Sequence, residues 1–225
     1  DQILETAQAA FDRGWNSLKL YFLLGLPTET EEDLRGIATL VQKILSLRGK
    51  EGGPRPNIKV SLSSFVPKPH TPFQWESQIT LEEMKEKLSF LRDELKRNRL
   101  HFKWQNPYLS FLEGIFSRGD RNLSHVLIEA NELGCRFDGW SDQFRYPLWR
   151  EAFERAGLAM DLHTRTKRFE DTLPWSFIYT GVATSFLWEE YQKGLGEEGS
   201  PPCKGERCQR CGVCDATSIR LRESK

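Results

Sequence analysis

Four of the five cysteines fall in one short stretch, Cys203-x4-Cys208-x2-Cys211-x2-Cys214. Thiolates are soft ligands that suit zinc or an iron–sulfur cluster. A two-residue spacing lets both sulfurs reach one metal, and Cys208-Gln-Arg-Cys211-Gly212 has the form of a zinc knuckle. A zinc ribbon, however, separates its two pairs by a longer segment. The overlapping Cys-x2-Cys-x2-Cys run instead suits three corners of a cubane, with Cys203 offering the fourth. The residues alone leave zinc and an iron–sulfur cluster both open. An odd cysteine count, clustered at one end, is a poor disulfide framework and points to a reducing, cytoplasmic setting. Cys135, alone in Leu-Gly-Cys-Arg-Phe, reads as a packing residue.

A second candidate lies where an apolar run meets Gly25-Leu-Pro-Thr-Glu-Thr-Glu-Glu-Asp33. Gly25 ends the run, which invites a ligand to approach the backbone, so a bulkier residue there is expected to exclude the ligand and spare the fold. Pro27 stiffens the turn, and Glu29 is placed to reach over the strand's end. The same residues would also serve an ordinary strand-to-helix turn whose acids complement the helix dipole. In Ser117-Arg-Gly-Asp-Arg121, Asp120 or Asn122 is expected to cap the next helix. Arg118 and Arg121 read as surface ion-pair partners, or as a grip on an anionic group. The four histidines share no spacing with one another or with carboxylates, and His70 stands on a Pro-rich loop.

These residues need elements to hold them. Residues 1–13 fit an amphipathic helix with Ile3, Leu4, Ala7, Ala10 and Phe11 on one side and Gly14 as its stop. Leu18–Leu24 reads as a strand buried on both faces. Thr30 and Asp33 form a capping box for a helix carrying Leu34, Ile37, Ala38, Val41, Ile44 and Leu45 on one face. A Gly-rich loop, Gly49–Pro56, leads to a second strand, Ile58–Val66. Residues 17–24 and 58–65 are expected to pair in parallel, as helix–strand alternation implies. After the Pro-rich loop to Ile79, Thr80 and Glu83 cap a helix to about Asn98, and Leu100–Trp104 suits a short third strand. From Pro107 helical stretches at 107–117, 122–133, 147–156 and 184–193 alternate with loops rich in Trp, Arg and Asp. The domain reading is therefore 1–105 α/β, 106–193 a helical extension, and 194–225 a Cys-rich metal-binding tail.

The Gly25–Thr30 turn resembles the turn after the fifth strand of the radical S-adenosylmethionine (SAM) barrel, of form G-[FL]-P-G-[EQ]-T, with Thr28 standing where that turn has Gly. Val60-Ser-Leu-Ser-Ser-Phe-Val-Pro-Lys-Pro-His-Thr-Pro72 resembles the sixth strand and its P-[KR]-P-x-T-P loop. With Ser117–Arg121, Leu173-Pro-Trp175 and the Cys-Gly-Val-Cys-Asp ending, nearly the whole chain resembles an uncharacterised bacterial radical SAM group. Complete members of that group carry a vitamin-B12-binding-like region before the barrel. The resemblance implies the C-terminal portion of a partial (β/α)6 barrel plus a mainly helical extension. It places Gly25, Pro27, Glu29, Phe65, Val66 and Pro67 near SAM. It also implies a [4Fe–4S] cluster that cleaves SAM reductively to a 5′-deoxyadenosyl radical. The C-x3-C-x2-C loop that holds that cluster does not occur in these 225 residues. Because the chain opens on Asp1 rather than Met, an N-terminal remainder is expected to carry it, and this chain alone is expected to be inactive. The tail cysteines would then hold a second iron–sulfur cluster or zinc.

Composition bounds the alternatives. Lys plus Arg equals Asp plus Glu at 32 each, so no net charge calls for nucleic acid, although a local basic patch can hide in a neutral total. The longest apolar run is far short of the roughly 20 residues a membrane helix needs, so no membrane partner is expected. The rival reading is a non-enzymatic zinc- or iron–sulfur-binding module with RNA as its partner. That reading expects a basic, aromatic face. The substrate is not legible.

Overall fold

The computed structural model describes residues 2–49, 55–96, 101–203 and 208–214. Asp1, residues 50–54 of the Gly-rich loop, residues 97–100, and residues 204–207 and 215–225 of the tail lie outside the described residues. The chain forms two compact units, Asp1–Phe65 with Ile79–Ser110 and Val66–Gln78 with Phe111–Lys225. The division thus falls at Ser110 rather than 105. The Pro-rich segment Val66–Gln78 and the tail belong with the helical part.

The first unit is an open, three-stranded parallel sheet with helices on one face. Helix α1 (Gln2–Phe11) precedes β1 (Ser17–Leu24), α2 (Glu31–Ser46), β2 (Asn57–Ser64), α3 (Leu81–Lys96) and β3 (His101–Trp104). β1 runs parallel to β2 from Ser17↔Asn57 to Leu24↔Ser64, and β2 to β3 from Lys59↔His101 to Leu62↔Trp104. The expected parallel pairing of 17–24 with 58–65 is present, in sequential strand order.

Both capping boxes form. The Thr30 N–H and hydroxyl meet Asp33 Oδ2 at 2.8 and 2.7 Å, and the Thr80 N–H and hydroxyl meet Glu83 Oε2 at 2.8 and 2.9 Å. These bonds satisfy N-terminal donors that the helix itself leaves open. The backbone N–H of Thr30 is also the main reason the Asp33 carboxyl lies below its ordinary range. Leu34, Ala38, Val41 and Ile44 of α2 and Met84, Leu91 and Leu95 of α3 then pack on Leu24, Ile58, Val60 and Leu62 of the sheet.

One expectation is corrected. β1 is not buried on both faces: Tyr21 is 69% and Leu23 43% exposed, while Leu18, Leu20 and Phe22 join the core. The apolar run masks a period-two pattern because Tyr and Leu stand on the open side.

The second unit has a different texture. α4 (Pro107–Arg118) begins in the first unit and ends in the second. α5 (Leu123–Glu132) and α6 (Tyr146–Arg155) pack through Val126, Ala130, Trp149, Ala152 and Phe153. Cys135 lies partly buried against this cluster, and burial raises its thiol pKa. The Pro-rich segment makes a single 3-10 turn, Pro72–Trp75, that seats the fully buried Trp75 against Trp188 and Tyr191 of α7 (Thr184–Leu195).

Arg118 is not a surface residue. Its guanidinium is fully buried and donates to the carbonyl oxygens of Thr164, Gln74 and Arg165 at 3.4, 3.4 and 3.0 Å. Burial without a bonded carboxylate lowers its pKa to about 10. It pins the Pro-rich segment to the loop after residue 163. The expected side-chain cap of α5 does not form: Asn122 holds the N-cap position without a side-chain cap bond, and Asp120 Oδ1 instead accepts the Asn122 N–H at 2.9 Å in a turn ahead of the helix.

Among the described residues no helix is long and apolar enough to cross a membrane.

Candidate functional site

The turn after β1 is built by its own residues. Gly25 takes φ +83° and Thr28 φ +67°, two left-handed positions in four residues. For a β-branched residue that region costs about 1–2 kcal/mol, because Cβ crowds the following carbonyl. What holds the chain there is Glu29. Its Oε2 accepts the Gly25 N–H at 3.0 Å, and its Oε1 lies 2.7 Å from Lys87 Nζ on α3. The Glu29 side chain is only 7% exposed and that of Lys87 22%, so the carboxylate is withdrawn from water and its charge is matched by a partly solvated ammonium. Pro27 is half-buried and Gly25 buried.

The expectation that Gly25 leaves open space for a ligand is corrected. A Cβ built on Gly25 would stand 2.5 Å from Ile79 Cδ1. Gly25 is favoured by its positive φ, and a side chain there would also have to displace Ile79. A larger residue there would disturb the unit before it excluded anything.

Phe65 sits beside this turn. Its N–H donates to Leu24 O at 2.7 Å, extending the β2–β1 ladder by one residue, and its side chain is buried. The ends of β1 and β2 are thus brought together as expected. Val66, half-buried, and Pro67, buried, follow directly in the chain and belong to the second unit.

The cysteine segment forms a tight turn at 208–212. Cys208 Sγ accepts the Arg210 backbone N–H at 3.3 Å. An N–H two residues on that bonds to the first sulfur is what steadies a thiolate on a tight turn. Arg210 at φ +53° and Gly212 at φ +87° close the turn. Cys211 O accepts the Ala183 N–H at 2.7 Å, and Gln209 Nε2 donates to Pro201 O at 3.1 Å, which ties the knuckle to the rest of the second unit. A side chain at Gly212 would stand 3.1 Å from Gly181 O. Cys203, Cys208, Cys211 and Cys214 are all free thiols. Among the described residues no three His, Cys, Asp or Glu side chains are gathered as a metal centre. The turn therefore fits a metal, while the full donor set is not assembled around a common point.

A feature the sequence did not signal is a small cavity in the second unit, of about 150 Å³, lined by His70, Gln74, Trp175, Tyr179 and Thr184 among others. His70 stands at φ +57°, and its buried Nε2 has no hydrogen-bond partner among the described residues. Gln74 Oε1 accepts both the His70 N–H at 3.1 Å and Trp175 Nε1–H at 2.7 Å. One glutamine thereby fixes the loop and the cavity wall, a long-range link that no local spacing reveals.

No family model matches the chain, and no solved structure matches it. A stretch of 114 residues is 32% identical to an uncharacterised protein, MJ0966, of Methanocaldococcus jannaschii. The match covers 51% of this chain and 24% of that protein, so the chain corresponds to about a quarter of its relative's length.

Proposed function

We propose that this chain is the C-terminal part of a radical SAM enzyme, with a metal-binding knuckle in its Cys-rich tail. The observation that carries the reading is Thr28. The turn it resembles has glycine there, and Thr28 nonetheless occupies the glycine-type region at φ +67°. A β-branched residue would leave that region unless the surrounding bonds required the shape. Sequential parallel β1, β2 and β3 further support a barrel segment, since neighbouring barrel strands follow chain order. Among the described residues β1 stands at an edge of the sheet, where a further barrel strand has room to pair.

When bound, a reduced [4Fe–4S] cluster and SAM supply the 5′-deoxyadenosyl radical. The residues here do other work. Gly25 and Glu29 set the turn at the strand ends, Phe65 extends the neighbouring strand by one residue, and Val66 and Pro67 follow it in the chain as residues that the resemblance assigns to SAM. The tail holds zinc or a second cluster through Cys203, Cys208, Cys211 and Cys214. The setting this chemistry requires is reducing and cytoplasmic.

The test is made on the complete protein, purified anaerobically with whatever precedes Asp1. With dithionite and SAM it is expected to release 5′-deoxyadenosine, read by mass spectrometry. A complete protein with no C-x3-C-x2-C loop and no SAM cleavage would overturn the proposal.

A further inference from the structure

The open face of the sheet in the first unit is basic. Across the register its rows read Lys19–Lys59–His101, Tyr21–Ser61–Lys103 and Leu23–Ser63. Lys19, Lys59 and Lys103 are exposed. The chain has 32 acidic residues, yet none stands in these rows. Among the described residues no carboxylate pairs with any of the three ammonium groups.

This arrangement opposes stability if nothing binds. Lys19 and Lys59 are direct register partners on strands about 4.8 Å apart. Like charges directly opposite one another destabilise a sheet. The nearest compensation is the ring of Tyr21, over which Lys19 Nζ lies at 4.6 Å. Lys103 stands one row further on, beside Ser61. An anion seated among these groups turns their repulsion into attraction, and three cations match more than a single negative charge. Ser61 and Ser63 add hydroxyl donors on the same face. Tyr21, still 69% exposed, adds a flat apolar surface beside them. A patch of this kind is invisible in a chain whose total charge is zero.

We propose that this sheet face holds a phosphate-bearing ligand, gripped by Lys19, Lys59 and Lys103. The inference deepens the reading above and rests on it where it takes this face as the inner wall of the barrel, so that the ligand is the substrate. The phosphate can belong to a free nucleotide or to a single-stranded RNA, and both present the same chemistry to the lysines.

The test uses the chain as it is. Binding of uridine monophosphate is followed by calorimetry and binding of a fluorescent twelve-residue oligo(U) by anisotropy, at several salt concentrations. Lys59→Gln and Lys103→Gln are each expected to weaken binding at least fivefold, whereas Lys59→Arg keeps it. Lys43→Gln, on the exposed side of α2, is expected to leave it unchanged. For RNA, the slope of log affinity against log salt should fall by about 0.7 for each lysine lost. Lysine-sensitive binding of the mononucleotide identifies a small-molecule substrate, and lysine-sensitive binding of RNA alone identifies a strand. No binding of either probe, or equal losses in Lys59→Gln and Lys43→Gln, overturns the proposal. The assay needs neither SAM nor a cluster. Intact binding without SAM cleavage therefore removes the enzyme reading alone, and the reverse removes this face alone.

Discussion

The turn after β1 and the cysteine knuckle are two tight loops with left-handed residues, and they are finished in opposite ways. At Gly25–Glu29 the protein supplies every partner: Glu29 accepts the Gly25 N–H and meets Lys87, and Ile79 closes over Gly25. At Cys208–Gly212 it supplies one N–H to one sulfur and leaves both thiols, Cys208 and Cys211, free. The first loop is complete on folding. The second is left with thiols that nothing in the described residues engages, and the proposal above gives them to a metal. A self-completed turn reports its importance through stability, and an incomplete one through what it binds.

The sharpest break of this contrast is Gly25→Val. The new side chain meets Ile79 at a position already at φ +83°. Overpacking costs about 1–3 kcal/mol, and the left-handed backbone adds about 1–2 kcal/mol. The first unit should lose most of its stability, read as a collapse of the urea midpoint. A variant as stable as the parent would mean that Ile79 and the turn yield freely.

The knuckle should behave the other way. Without metal, Cys211→Ser is expected to leave thermal unfolding unchanged. With zinc, or after anaerobic iron and sulfide reconstitution, only the parent should gain stability, by about 2.7 kcal/mol at a metal concentration 100 times Kd. Colour and sulfide content separate cluster from zinc. Stoichiometric metal in Cys211→Ser, or none in the parent, would remove the site.

Glu29→Gln tests whether the turn's completeness depends on charge. The amide oxygen can still accept from Gly25, but Lys87, with a side chain 22% exposed, loses its carboxylate. The pair lies between a surface and a buried one, so a loss of about 1–3 kcal/mol is expected. Glu29→Gln with Lys87→Met should recover part of it. No recovery in the double variant would show that the charge pair is not what the single change removed.

How much of this was legible depended on reach. The capping boxes at Thr30 and Thr80 were readable because both partners lie three residues apart. The parallel pairing of β1 and β2 followed from helix–strand alternation. The open face of β1 was not readable, because Tyr21 and Leu23 are as apolar as the residues they alternate with. Burial of Arg118 was hidden for another reason: its acceptors are carbonyls, including those of Thr164 and Arg165, more than forty residues away. Backbone acceptors carry no side-chain signature. Glu29 was expected at the strand's edge, and it is there. Its partner Lys87 lies on α3, the second helix after it, so the lock itself was beyond local spacing.

Thr28→Gly is the smallest change and probes the turn most directly. Thr28 is exposed, at φ +67°. Glycine removes the left-handed penalty of about 1–2 kcal/mol. It also loosens the unfolded chain, at a cost of about 0.5–1 kcal/mol. The net expectation is a gain of up to about 1 kcal/mol in urea unfolding of the first unit. Thr28→Val keeps the β-branch and drops only the hydroxyl, so it should match the parent. A destabilised Thr28→Gly would mean that the threonine side chain, rather than the backbone shape, is what the turn requires. The likeness to a glycine-bearing turn would then lose its main support. A stabilised variant would instead show that a turn shaped for glycine accommodates threonine under strain, held by Glu29 and Lys87.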